Sequence, residues 1–374
     1  MHLYLHIPFC RKACHYCDFH FSTNLSQKEL LVKAMVAELE RQKDYLADKH
    51  LSTIYFGGGT PSLLSEEELD TLMNAISARF SVSGSAEITL EANPDDLSPA
   101  ALSNFSRTGI NRLSIGIQTF DDEMLGYLNR THTGEGAMEA VKRAQDSGIG
   151  NISLDLIYAL PAPDHERLKS DIGKIISLDA AHLSAYCLTI EPDTAFGRWV
   201  QSRKMLPVDE EFAAAQFEIT TTELSAAGYE QYEISNFARD GHYSRHNTAY
   251  WQRKPYLGIG PGAHSYNGSS RQFNVSNNNK YIKDLTSGIS PATVEILTSD
   301  DQVNEYLLTG LRTKWGCSLD MLDQLSEGVF RETHRSTVKE LVARGWLQMI
   351  ENTLLLTPSG KLFADRVASD LFIG

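Results

Sequence analysis

Residues 4–17 read YLHIPFCRKACHYC, a strand-like run that ends in three closely spaced cysteines. Cys10, Cys14 and Cys17 form a CxxxCxxC pattern directly after a segment typical of a β-strand. The chain has five cysteines in 374 residues. Chance alone would place three of them in this pattern in roughly one sequence in a thousand. The spacing therefore predicts a metal site on the loop after the first strand.

The number of thiolates indicates which metal site this is. No fourth cysteine lies nearby, and Cys187 and Cys317 are typical of isolated core thiols. A 4Fe–4S cluster held by three thiolates keeps one iron free for a small ligand, and this is the favoured interpretation. The alternative is a structural zinc ion, for which His15 or His20 would supply the fourth ligand.

Outward from this loop, strand-like and helix-like segments alternate over the first 210 residues or so. The predicted strands are residues 2–7, 52–56, 87–91, 112–117, 152–159 and 182–190. Their apolar-rich composition indicates strands that are buried on both faces. Six strands alternating with helices predict an α/β fold with a parallel sheet, either an incomplete barrel or an open doubly wound sheet.

The rest of the chain changes character twice. Residues 236–298 are rich in Gly, Asn, Ser, Tyr and His, which predicts a loop-rich segment that closes the barrel. Residues 299–374 predict helices, a hairpin and a last helix, which is a winged-helix-like α+β domain. The expected division is therefore 1–235, 236–298 and 299–374.

Charge and hydropathy exclude several classes of protein. The net charge is −14, and that of the C-terminal domain is −3, so a nucleic-acid reader is disfavoured. No run reaches the ~18 apolar residues that cross a membrane. The start of the chain lacks the basic region and long apolar core of a signal peptide. A cytoplasmic protein is expected.

The polar residues of the predicted strands fall at one end of the sheet. The cysteine loop follows the first strand, GGGTP (57–61) follows the second, and Glu91 ends the third. Gln118 ends the fourth strand, and Asp155 lies in the fifth. Because the carboxyl ends of parallel strands meet at one edge, these segments predict one ligand site. Taken alone, GGG is also typical of a tight turn, and a lone Glu of a surface carboxylate.

A CxxxCxxC loop after the first strand of an α/β chain resembles the radical S-adenosylmethionine (SAM) superfamily. The resemblance implies a partial parallel (β/α)6 radical SAM barrel, a 4Fe–4S cluster on the three cysteines, and SAM on the open iron. A closer resemblance is to the coproporphyrinogen III oxidase-like branch, and it covers nearly the whole chain. Its motifs are YLHIPFC (4–10), FGGGTPS (56–62), LEANPD (90–95), LSIGIQTF (113–120), LNRTH (128–132) and LDLIYALP (154–161).

This branch also implies which residues bind SAM. By resemblance, Tyr4, Gly58 and Glu91 contact the cluster-bound SAM. A second SAM site is implied for a further set: Tyr16, Gly59, Thr60, Gln118, Arg130 and Asp155. For Arg130 and Asp155 the alternative is a structural ion pair at the barrel mouth.

Three features separate the chain from the oxidase. Where the oxidase has a further cysteine, this chain has Phe19, and Cys10 stands close to the start of the sequence. HNTAYW (246–251) resembles the HNxxYW motif of the HemW-type heme chaperones. That motif implies a heme site at His246, Asn247, Tyr250 and Trp251. A histidine can ligate heme iron, and Tyr and Trp offer flat apolar faces. The alternative is a loop that these side chains anchor to the barrel.

The resemblance to HemW-type chaperones implies a protein that binds a 4Fe–4S cluster, SAM and heme. It implies delivery of heme to acceptor proteins, for example of the respiratory chain, with no catalytic residue, and it is compatible with a homodimer. The alternative is an enzyme, an oxygen-independent coproporphyrinogen III oxidase. That enzyme would decarboxylate propionates by 5′-deoxyadenosyl radical chemistry.

Overall fold

Six parallel strands, each followed by at least one helix, form the first part of the chain in the computed structural model, which describes residues 1–374. The strands are β1 (His2–Ile7), β2 (His50–Gly58), β3 (Ser81–Ala92), β4 (Arg112–Gln118), β5 (Asn151–Tyr158) and β6 (His182–Cys187). The helices are α1 (Lys28–Gln42), α2 (Glu66–Ser77), α3 (Pro99–Arg107), α4 (Asp122–Tyr127), α5 (Gly134–Asp146), α6 (Glu166–Ser177), α7 (Ala195–Gln201) and α8 (Glu210–Ala226). The predicted partial parallel barrel is confirmed.

The strands alternate more cleanly than their composition suggests. Apolar side chains such as Leu3, Phe56 and Leu90 point outward and join a helix-covered core of 63 buried residues. The side chains between them are polar and hydrogen-bond across the strands inside the barrel, as Tyr55 does to Glu91 at 2.8 Å. Both faces are buried as expected, but only the outer one is apolar. The reason is that the interior faces a ligand cavity instead of a second layer of helices.

Both edges of the six-stranded unit are extended. On the β6 side, β7 (Glu230–Glu233) and β8 (Asn236–Ala238) form a hairpin whose β8 runs antiparallel to β6. On the other side, β9 (Tyr256–Ile259) runs parallel to β1 and is followed by three antiparallel strands. These are β10 (His264–Tyr266), β11 (Ser270–Asn274) and β12 (Ala292–Ile296), with α10 (Asn278–Thr286) between the last two.

Residues 236–298 thus differ from the predicted loop-rich segment. The short helix α9 (Arg245–Trp251) and five strands account for much of its length. Polar sequences of this kind become strands because β1 and β6 offer open edges with which to pair, a tertiary effect that local propensity does not contain.

The C-terminal domain has its own core of 15 buried residues. Its helices are α11 (Ser299–Gly310), α12 (Leu319–Leu325), α13 (Phe330–Thr333), α14 (Arg335–Ala343) and α15 (Ala364–Asp370). Its antiparallel sheet contains β13 (Cys317–Ser318), β14 (Leu347–Ile350) and β15 (Thr353–Leu356). The predicted combination of helices and a hairpin is confirmed. None of the helices in the chain is both long and apolar enough to cross a membrane.

Candidate functional site

The cysteine loop between β1 and α1 is held in place by backbone contacts to distant segments. The Cys10 amide donates to the Ser22 carbonyl at 3.0 Å, and the His15 amide donates to the Leu128 carbonyl at 3.2 Å. The loop is therefore fixed at the carboxyl end of the barrel. Its three cysteines are free thiols that are only partly buried.

A cavity of about 480 Å³ opens at this end of the barrel, and all three cysteines line it. Of the nine other residues predicted to bind SAM or to share its site, eight line the same cavity: Tyr16, Gly58, Gly59, Thr60, Glu91, Gln118, Arg130 and Asp155. Tyr4 lies deeper in the barrel, with its hydroxyl 3.1 Å from His6 Nδ1. The carboxyl ends of five strands therefore meet at one mouth, as the sequence predicted.

The thiols have the surroundings that thiolates need. The Thr60 hydroxyl donates to Cys10 Sγ at 3.4 Å, and Arg130 Nη1 donates to Cys14 Sγ at 3.5 Å. Burial raises the pKa of Cys17 to about 12 and also raises the pKa of Cys10. A bound metal cation would reverse that effect, because it stabilises the thiolate over the thiol.

The donor set favours a cluster over a single zinc ion. No three His, Cys, Asp or Glu side chains converge on one point where a single metal ion could be held. Each of the two histidines considered as a fourth zinc ligand has a hydrogen-bond partner on one ring nitrogen. His15 Nδ1 is 2.9 Å from the Tyr127 carbonyl, and His20 Nε2 is 2.8 Å from Asn278 Oδ1. A 4Fe–4S cluster spreads its thiolates over three separate irons, so it fits cysteines that share a wider cavity.

Glu91 is fixed at the floor of the mouth. Its two carboxylate oxygens accept from the Tyr55 hydroxyl at 2.8 Å and from the Gly58 amide at 3.0 Å. Burial raises the pKa of Glu91 to about 7. Gly58 has a φ of +109°, and a Cβ there would lie 2.5 Å from the His6 ring. The glycine is thus required for the backbone to reach Glu91, beyond what a simple turn needs.

Arg130 and Asp155 do not form the ion pair considered as an alternative. Arg130 Nη2 donates to Asn93 Oδ1 at 2.6 Å and to the Gly116 carbonyl at 2.7 Å. Asp155 accepts from the Ser114 hydroxyl at 3.2 Å, and burial raises its pKa to about 6. Gln118 adopts a φ of +71° where the β4–β5 register shifts. All three residues are available to a ligand in the cavity.

HNTAYW lies at the opposite, amino end of the barrel and is the helix α9 rather than a loop. His246 is 1% exposed and points into the barrel. Its Nδ1 is 2.6 Å from the Thr53 hydroxyl and its Nε2 is 2.8 Å from the Tyr250 hydroxyl. The Glu87 carboxylate accepts from the His246 amide at 3.1 Å. In this arrangement both ring nitrogens are engaged, so His246 presents none to heme iron.

Other residues of the motif and its flanks also contact the chain, while Trp251 Nε1 and Thr248 Oγ1 are buried without a hydrogen-bond partner. The Trp251 ring lies under the Arg312 guanidinium of the C-terminal domain, 5.5 Å away. The Asn247 backbone amide donates to the Ser244 hydroxyl at 3.3 Å, in the N-terminal cap of α9. Arg245 and Arg253 bond to Ser85 and Tyr266 within the chain. The structure therefore does not bring HNTAYW together with the cysteines.

Sequence reasoning missed one thiol at the mouth. Cys187, expected to be a buried core thiol, is exposed at the carboxyl end of β6 and lines the same cavity as the three loop cysteines. Its position near the carboxyl end of a predicted strand was the signal that could have indicated a place at the mouth. Cys317 is buried, as expected.

A parallel barrel with three cysteines at its mouth defines a radical SAM protein. The Radical SAM superfamily model matches residues 4–172, and the HemN C-terminal domain model matches residues 297–363. The chain is 37% identical to the heme chaperone HemW of Bacillus subtilis over 97% of both chains. It is 32% identical to the heme chaperone HemW of Escherichia coli over 99% of this chain and 97% of that one. The chain belongs to the HemW family.

A solved structure shows the same fold. Coproporphyrinogen III oxidase (HemN) from Escherichia coli superposes with a TM-score of 0.85 over 99% of this chain and 89% of that one. At 22% sequence identity, this similarity concerns the fold alone. Membership in the radical SAM superfamily implies a 4Fe–4S cluster and SAM.

Proposed function

We propose that this chain is a heme chaperone that holds a 4Fe–4S cluster on Cys10, Cys14 and Cys17, binds SAM beside it, and passes heme to acceptor proteins such as those of the respiratory chain. The observation that supports the proposal most strongly is the shared cavity. Three free thiols line it together with the glycine-rich turn and Glu91, in a chain related over its full length to proteins named heme chaperones.

Different residues of the mouth would bind the cluster and SAM. Thr60 and Arg130 donate to two of the thiols and so stabilise negative charge on sulfur. Glu91, fixed by Tyr55 and Gly58, offers acceptor oxygens to the hydroxyl or ammonium groups of SAM. When bound, the cluster would supply one iron with an open position for SAM.

The cysteine loop differs from that of the oxidase considered above. Phe19, which stands where the oxidase has a further cysteine, is 70% exposed at the cavity rim. The missing cysteine counts against the oxidase and so favours the carrier. We propose that the cluster and SAM control heme loading or transfer, with no turnover of a porphyrin.

Heme at HNTAYW remains part of the proposal, under a structural condition. His246 is 1% exposed and can reach heme iron only after its bond to Thr53 or its bond to Tyr250 breaks, because both of its nitrogens are engaged. The helix α9 also packs against α11 of the C-terminal domain. Heme binding there therefore requires α9 to move away from the barrel.

The test is a heme titration of the anaerobically reconstituted protein, followed by Soret absorbance. The variants are His246→Ala and, as a matched control, His334→Ala. His334 is also a buried histidine stacked on an aromatic ring, Phe330 at 4.5 Å, but it lies in the C-terminal domain. Saturable binding that weakens only in His246→Ala supports both the carrier role and the site.

The other outcomes are equally informative. Saturable binding that is unchanged in His246→Ala keeps the carrier role and moves the heme site away from HNTAYW. Absence of saturable binding in the wild type overturns the chaperone proposal. Formation of protoporphyrinogen from coproporphyrinogen III would then favour the oxidase.

A further inference from the structure

The interior of the barrel is a continuous polar core that joins its two ends. At the amino end, His246 bonds to Thr53 of β2, and the Glu87 carboxylate of β3 accepts from the backbone of α9. At the carboxyl end, the same two strands carry Gly58 and Glu91. The helix α9 is therefore attached to the two strands whose other ends form the floor of the mouth.

Tyr55 lies between the two ends. Its ring stacks on the His246 ring, with centroids 5.0 Å apart and planes at 29°. The Tyr4 ring packs against both of these rings, with its centroid 6.1 Å from that of Tyr55 and 6.3 Å from that of His246. The Tyr55 hydroxyl donates to Glu91 at 2.8 Å. One aromatic residue thus contacts both His246 and the carboxylate at the mouth.

The packing leaves Tyr55 few other positions. The side chain is 8% exposed. Its ring lies so close to the backbone of Gly57 that a Cβ on this glycine would be only 2.9 Å away. Removing the imidazole would open a space on the α9 side of this ring, into which it could tilt. Its hydroxyl would then move away from Glu91, and the carboxylate would lose one of its two fixed donors.

We propose that His246 is a positioning residue for SAM binding, which acts through the Tyr55 ring on the orientation of Glu91. The proposal rests on the proposed function in one respect, that Glu91 contacts SAM. It does not require heme to bind at His246. It assigns the first residue of HNTAYW a role in the closed form of the protein, at the end of the barrel opposite SAM.

The experiment measures SAM affinity of the cluster-reconstituted full chain by equilibrium dialysis. The variants are His246→Ala, Tyr55→Phe and the double variant, with His334→Ala as the matched control. Tyr55→Phe keeps the stacked ring and removes only the hydroxyl that reaches Glu91. Iron content and the melting temperature are measured on every sample.

We expect His246→Ala and Tyr55→Phe each to raise the Kd for SAM about tenfold, the effect of one hydrogen bond to a charged group. The double variant should match the single variants within about threefold, because both changes break the same connection. A purely structural role of His246 would lower the melting temperature and leave SAM affinity unchanged. A role independent of Tyr55 would add its effect on SAM affinity to that of Tyr55→Phe. His334→Ala should leave SAM affinity unchanged.

Three results would overturn the inference. The first is unchanged SAM affinity in His246→Ala, and the second is a double variant whose effects multiply to about a hundredfold. If His246→Ala does not fold, His246→Asn, which keeps a polar group near Thr53 but has no ring, takes its place under the same criteria. The third is a wild type that does not bind SAM, which would also remove the SAM part of the proposed function.

Discussion

The two ends of the barrel are both lined by polar side chains, yet their bonding differs. At the carboxyl end, the polar groups surround a cavity of about 480 Å³, and three thiols there have at most one weak donor each. At the amino end, the His246 ring has a partner on both nitrogens and is 1% exposed. The mouth has bonding capacity left for a ligand, whereas the His246 ring has already used its own.

A polar motif can therefore have one of two roles, to bind a ligand or to stabilise the fold. A buried polar group without partners is costly, so a site that keeps such groups around a cavity is built for an occupant. A polar group whose partners all belong to the same chain stabilises the fold. By this criterion the cysteine loop has the character of a binding site, whereas the His246 ring is bonded as part of the fold.

The largest expected effect is on cluster content, and it distinguishes the two ends of the barrel. Replacing Cys10, Cys14 and Cys17 together by serine should abolish the cluster, because its ligands come only from the mouth. The measurement is iron and sulfide content with the brown absorbance of the reconstituted protein. His246→Ala should keep the cluster.

Cys187→Ser is the matched control, since Cys187 lines the same cavity without belonging to the motif. Full cluster content in the triple variant would contradict the ligand assignment. Loss of the cluster in Cys187→Ser would add a fourth ligand to it.

The next effect concerns the backbone of the mouth. Gly58→Ala should lower SAM affinity at least tenfold and destabilise the fold by about 1–3 kcal/mol through its positive φ. The added methyl group would also press on the His6 ring. Thermal unfolding and SAM dialysis measure the two effects. Gly84→Ala, where a Cβ would meet nothing within 4 Å, should change neither.

A third change tests the attachment of α9 to the amino end of the barrel. Thr53→Val keeps the side-chain shape but leaves His246 Nδ1 and His2 Nδ1 without the hydroxyl they share. We expect a loss of about 1–3 kcal/mol in the free energy of unfolding. Cluster content should stay at the wild-type level. Denaturant unfolding measures this loss, and Thr293→Val on the exposed strand β12 is the control. A wild-type unfolding free energy in Thr53→Val would mean that α9 contributes little to stability.

The smallest effect is a pH dependence confined to the mouth. Burial raises the pKa of Glu91 to about 7, so its ionised fraction increases roughly tenfold between pH 6 and pH 8. SAM affinity should rise with pH over this range by about that factor, because the carboxylate is the stronger acceptor. Glu91→Gln should bind SAM more weakly and with a flatter pH profile. A wild-type profile that is level or falls with pH would remove Glu91 from the SAM contacts.

The sequence predicted the residues of the mouth far better than the contacts of α9 at the amino end of the barrel. The mouth consists of short contiguous segments at strand ends, and the rule that carboxyl ends of parallel strands meet brought Gly58, Glu91 and Asp155 together without a structure. The role of Tyr55 was not predictable in this way. Its partners, His246 and Glu91, are 191 and 36 residues away, and nothing local in the sequence indicates that they meet.

The sequence by itself determined the alternation of strands and helices, the cysteine pattern and the family. These depend on periodicity and spacing along the chain, which are local properties. Only the tertiary structure decided that residues 236–298 extend the sheet, that Cys187 faces the cavity and that His246 is enclosed. Strand edges, cavities and hydrogen-bond partners arise between segments far apart in sequence, so whether a polar residue binds a ligand or its own chain is decided only when the chain has folded.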